Sequence, residues 1–120
     1  MREIKFRGYD GMDWIYGTAV LYVKETDTWY MIESGAPDDD WLMVSNIGQF
    51  TGLRDSRGQE IYDGDIVRYW QRNLEKAFGM VGDGNDFELK TRKIKYSNQS
   101  FNVPSGFIKE LQVIGNIYEN

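Results

Sequence analysis

The chain has 120 residues, a formal net charge of −5, 41% hydrophobic and 15% aromatic side chains, and neither Cys nor His. Disulfides and thiolate metal sites are therefore excluded, the commonest general base and the usual zinc ligand are missing, and no cofactor is expected. The length predicts one domain over 1–120 with its own core. The acidic balance argues against a sequence-independent nucleic-acid binder.

Residues 2–7 alternate, with Ile4 and Phe6 on one face and Glu3, Lys5 and Arg7 on the other, which predicts a strand with one wet face. Residues 14–23 are apolar on both faces and predict a central strand covered on both sides. Residues 24–27 close a hairpin and 28–33 return as a strand. Pro37 and Asp38, Asp39 and Asp40 place an exposed loop at 35–40. Trp41-Leu42-Met43-Val44 is a strand or one turn of helix, and Asp40 could cap the helix.

The most distinctive segment is 48–69. Asp55-Ser56-Arg57-Gly58 reads as a tight turn, because an Asp side chain bonds backbone further along and Gly accepts positive φ. Asp63-Gly64 is a second, hairpin-type turn, and Ile66-Val67-Arg68-Tyr69-Trp70 has strand chemistry. Leu74, Ala77 and Phe78 have helical spacing between a capping Asn73 and a terminating Gly79, with a β continuation and long loop as the alternative. Residues 87–96 predict a strand. Its apolar phase changes between Phe87 with Leu89 and Ile94 with Tyr96, which predicts a bulge near Thr91-Arg92. Phe107, Ile108 and Leu111 fit one side of a helical turn, and 113–118 is the last strand, with a bulge or close neighbour at Gly115. The fold class is mainly β: a small twisted antiparallel sheet or barrel, by analogy SH3-like, with one or two short helices.

Gln49-Phe50-Thr51-Gly52-Leu53-Arg54-Asp55, followed by Gly58-Gln59-Glu60-Ile61-Tyr62-Asp63-Gly64-Asp65-Ile66-Val67, resembles the core motif of the YopX-like family. Arg2-Glu3-Ile4-Lys5-Phe6-Arg7 with Trp14-Ile15-Tyr16-Gly17 is similar to the family's opening, and Val113-Ile114-Gly115-Asn116-Ile117-Tyr118-Glu119-Asn120 to its closing. Phe50 departs from the Tyr usual in the family, and 71–110 shows no such resemblance. The resemblance implies a small protein of bacteriophages and prophages. It carries over no catalytic residues, because the family has no established biochemical activity.

Three groups of residues are candidates for function. Arg68, Trp70, Arg92 and Lys93 combine cations with an aromatic platform, as single-stranded nucleic acid requires; the competing reading is a charged, solvated strand edge. Glu60, Asp63 and Asp65 cluster around a turn and could hold a hard cation or serve a carboxylate-dependent hydrolase, although turn-forming acids are common. Val113 and Ile117 mark the C-terminal strand as an edge for self-association. The abundance of rings predicts a homo-oligomer, most simply a dimer. No apolar run approaches the ~20 residues of a membrane span and no signal peptide opens the chain, so the expected location is the cytoplasm of a bacterial host. The leading functional expectation is a non-catalytic interaction module with a phage or host protein partner; the alternative is a single-stranded nucleic-acid-binding β-barrel protein.

Overall fold

β-Branched and aromatic residues punctuated by Gly and Asp dictate short strands and tight turns. A computed structural model describes residues 3–73 and 86–119, and every regular element among them is a strand. The chain divides into two compact units, Met1–Gly52 and Leu53–Asn120. The expected helix at 74–79 lies outside the described residues.

The first unit contains β1 (Phe6–Tyr9), β2 (Trp14–Gly17), β3 (Ala19–Val23), β4 (Thr28–Ile32) and most of β5 (Leu42–Arg54), which ends in the second unit. Its antiparallel ladder runs β2-β1-β5-β4-β3 and does not close into a barrel. Asn46, at φ 54°, lies in β5 where pairing passes from β4, at Leu42 to Val44, to β1, at Ser45 to Gln49. The register shifts beside it, as a bulge requires. Ile15, Met31 and Val44 form the core, with Phe6, Val20 and Ile47 against it. Two expectations are corrected here. The apolar stretch 14–23 is not one central strand: it breaks between β2 and β3, which are the two ends of the ladder, and Tyr16, Leu21 and Tyr22 are exposed. Arg7 is buried rather than wet, with its guanidinium 4.8 Å from the Trp14 ring. Leu42 to Val44 is strand, not a turn of helix, because β4 pairs with it.

The second unit contains β6 (Glu60–Tyr62), β7 (Asp65–Arg72), β8 (Phe87–Lys93), β9 (Tyr96–Ser97), β10 (Ser100–Phe101) and β11 (Ile108–Asn116). β6 pairs with β5, β9 and β10 form a hairpin, and the antiparallel order β11-β7-β8 puts β7 in the middle. Ile61, Val67, Tyr69, Ile94 and Val113 form its core, joined by Phe101, Val103, Ile108 and Leu111.

Both predicted turns are present. Asp55 C=O accepts from Gly58 N–H at 3.0 Å, and Asp65 Oδ2 accepts from Tyr62 N–H at 2.8 Å across Asp63-Gly64. The Gly115 bulge is present as a register shift between Val113 and Gly115. The expected bulge at Thr91-Arg92 is not: β8 pairs with β7 without interruption from Phe87 to Lys93. Its apolar residues change side because Phe87 and Leu89 face away from the core while Ile94 enters it. The expected helical turn around 107–111 is strand. A bulge between Lys109 and Gln112, with Glu110 at φ 56°, inserts one residue, so Ile108 and Leu111 both face the core at a spacing that reads as helical.

Candidate functional site

Alternation along β7 sends Val67 and Tyr69 into the core and leaves Ile66, Arg68, Trp70 and Arg72 on the outer face. Directly opposed residues share a face. Register therefore adds Lys93, Thr91, Leu89 and Phe87 from β8, and Gln112 and Lys109 from β11, to that outer face. Arg68, Trp70, Leu89, Glu110 and Gln112 line a groove of about 240 Å³ there.

The groove joins apolar and polar walls. Trp70 is half-buried and Leu89 is 52% exposed. Arg68 donates through Nη2 to Gln112 Oε1 at 3.4 Å, which leaves the amide nitrogen of Gln112 as a donor. Glu110 contributes a carboxylate that no hydrogen bond or ion pair holds among the described residues. Its left-handed backbone costs a non-Gly residue about 1–3 kcal/mol, a kind of strain that clusters at ligand-binding positions.

The outer face is basic although the chain is acidic. Arg68, Arg72, Lys93 and Lys109 stand on it, against Glu110 and Asp86. Arg72 Nε donates to Asp86 Oδ2 at 2.7 Å; this bond, against desolvation, holds the Asp86 carboxyl below the usual carboxylate range. Lys109 Nζ lies 4.1 Å from the Phe87 ring centroid, so a cation already sits on an aromatic ring of this face.

Of the four residues expected to bind nucleic acid, Arg68, Trp70 and Lys93 share this face. Arg92 does not: it opposes Val67, donates through Nη1 to the Asn102 carbonyl at 2.9 Å, and lies 5.7 Å from the Tyr69 ring. Leu89, Glu110 and Gln112 escaped sequence reading. Leu89 was signalled by sharing the phase of Phe87, whereas Glu110 depends on a bulge that imitates helical spacing.

The expected metal residues are not gathered. Glu60 Oε1 accepts from Tyr62 Oη at 2.9 Å, Glu60 Oε2 lies 3.5 Å from Arg54 Nη2, and buried Asp65 closes its turn. No group of three acidic side chains able to hold a metal ion occurs among the described residues. The expected self-association residues are engaged inside the unit. Val113 is 8% exposed; its N–H donates to Asp55 Oδ2 at 3.0 Å, and its C=O accepts from Arg57 at 3.1 Å. Half-buried Ile117 donates its N–H to the Gly64 carbonyl at 2.8 Å. No helix among the described residues is long and apolar enough to cross a membrane.

The family model described as YopX protein matches residues 5–120, essentially the whole chain. No curated protein and no solved structure matches.

Proposed function

The chain belongs to the YopX family, and for this member we propose a non-catalytic interaction module whose binding face is the outer side of the β11-β7-β8 sheet. The observation that carries the reading is the groove. It gathers an aromatic ring, an aliphatic side chain, a cation, a carboxylate and an amide on one sheet face, with side chains that the core does not consume. Convergent polar groups beside an aromatic and an aliphatic side chain are what fix a ligand's orientation in a binding site. A phage or prophage origin, a bacterial cytoplasmic location, and a phage or host protein or a nucleic acid as partner go with this reading.

Amide chemical-shift mapping against a panel of nucleic acids, peptides and glycans tests it. The expected result is that a ligand which binds perturbs residues on the outer face of β7, β8 and β11, and that Trp70→Ala removes the response. Perturbation confined to β1 to β4 would overturn the choice of face. Reproducible turnover of a panel compound, abolished by Asp63→Asn in a folded protein, would overturn the non-catalytic reading.

A further inference from the structure

Resting on that binding face, we infer that the groove takes a single unpaired base of a nucleic-acid strand and prefers guanine. The size suits one heterocycle: the groove measures about 240 Å³, whereas pockets for drug-sized ligands run from about 300 to 1,000 Å³. Trp70 and Leu89 supply apolar surface, and an aromatic side chain stacks on any base.

The polar groups then discriminate. The Watson–Crick edge of guanine presents two adjacent donors, N1–H and the N2 amino group, beside one acceptor, O6. A carboxylate accepts from two adjacent donors at once, and Glu110 is the carboxylate of the groove. The Gln112 amide nitrogen, or the guanidinium of Arg68 bonded to that amide, donates to O6. Adenine offers no second donor beside its amino group, and thymine or uracil sets a carbonyl oxygen against the Glu110 carboxylate. Cytosine, like adenine, offers one amino donor beside a ring-nitrogen acceptor, so the two rank together below guanine.

The surroundings favour a polyanion. Lys93, Lys109 and Arg68 lie on the same face and can meet phosphates on either side of the stacked base. A basic peptide would be repelled by the same cations, and an acidic peptide would meet Glu110 without using the ring. A duplex buries the edge that Glu110 would read, so the ligand is single-stranded.

The test is fluorescence anisotropy with short labelled thymine strands carrying guanine, cytosine, adenine or no substitution at the centre, at low salt and with salt rising. The guanine strand should bind about tenfold or more tighter than the adenine strand, and binding should weaken with salt at a slope of about −0.7 per phosphate contacted. Trp70→Ala should weaken every strand roughly 5- to 150-fold, the range for one stacked base. Glu110→Gln should erase the guanine preference and let the unsubstituted strand bind as well as before or better, since its carbonyls no longer face a carboxylate. Arg68→Ala, on an exposed position, serves as a second variant should Trp70→Ala unfold by circular dichroism; it should weaken all strands. No binding in the micromolar range, binding indifferent to both Trp70→Ala and Arg68→Ala, or a guanine preference that survives Glu110→Gln would each overturn the inference. If nucleic acid fails while a peptide or glycan perturbs the same amides, the base assignment falls and the binding face stands. If ligands of every class perturb amides elsewhere, the binding face falls as well.

Discussion

Asp55 joins the central turn to the last strand with one carboxylate. Its Oδ1 accepts from the N–H groups of Arg57 and Gln59, both at 2.9 Å, and its Oδ2 accepts from Val113 N–H at 3.0 Å. Desolvation pushes this carboxyl up, but the three backbone bonds and the Arg57 charge outweigh it and hold it below the ordinary value. The contribution to stability is therefore present above the unfolded-state value of about 3.9 and is lost as pH falls through the lower folded-state value. Asp55→Ala should cost about 3 kcal/mol by urea unfolding at neutral pH, since it leaves buried donors without their charged acceptor. In Asp55→Asn the acid-side fall of stability should be shallower, because the titrating group is gone. A cost below about 0.5 kcal/mol would contradict this account. Gly64 is a second position where one atom matters. Its φ is +93°, and an added Cβ would stand 3.0 Å from the Tyr118 ring. Gly64→Ala should cost about 1–3 kcal/mol through backbone strain, read as a lower urea midpoint with unchanged slope.

Close approach and bulging set the geometry of the strands. A Cβ at Gly17 would collide with the Ile32 carbonyl oxygen, which is backbone and cannot swing aside. Just beyond, Ser34 N–H donates to Tyr16 C=O at 2.9 Å, so the chain after β4 lies directly against β2. Gly17→Ala should therefore destabilise the first unit by about 2 kcal/mol or more, with slowed hydrogen exchange lost first in β2 and β4. The bulge in β11 makes the opposite prediction. Glu110 holds a left-handed backbone that Gly adopts without penalty. Glu110→Gly should raise stability by about 1 kcal/mol, as strain relief, while removing the carboxylate of the groove. A thermal midpoint unchanged or lower in Glu110→Gly would show that the strained backbone is not the controlling term.

For the whole molecule, the abundance of rings has a visible consequence. Tyr16, Tyr22, Trp29 and Trp41 in the first unit, and Tyr96 and Phe107 in the second, are exposed. We propose a homo-oligomer on this exposure: Tyr22 and Trp29 lie together with ring centroids 4.7 Å apart, and apolar surface that gathers in a patch marks interfaces. β11 is an end strand of its sheet, as expected, but the backbone groups of Val113 and Ile117 are already engaged within the second unit, so the proposed contact is the exposed rings rather than that edge. Light scattering coupled to size exclusion should give a mass above the 14.0 kDa of one chain, and Ile117→Lys should lower stability more than it lowers that mass. A monomer mass across a dilution series would dismiss self-association.

Composition, turn chemistry and alternation were enough to determine a β protein, the turns at 55–58 and 63–64, the hairpin at 24–27 and the Gly115 bulge, because each depends on contacts within a few residues. The matching strings around 49–67 likewise made the family legible in the chain itself. Only the tertiary structure decided which faces are covered. The apolar stretch 14–23 reads as a central strand from its own residues. Its place at the ends of the ladder depends on β1 and β4, and Thr18 separates the halves that pair with them. Arg92 and Lys93 are neighbours in sequence, yet register with β7 puts them on opposite faces. Ile108 and Leu111 carry helical spacing, and pairing with β7 makes it a bulged strand that turns Glu110 toward Trp70 and Arg68. A residue's face is set by its hydrogen-bonded partner, and one inserted residue reverses it, so a groove assembled from three strands cannot be read along any one of them.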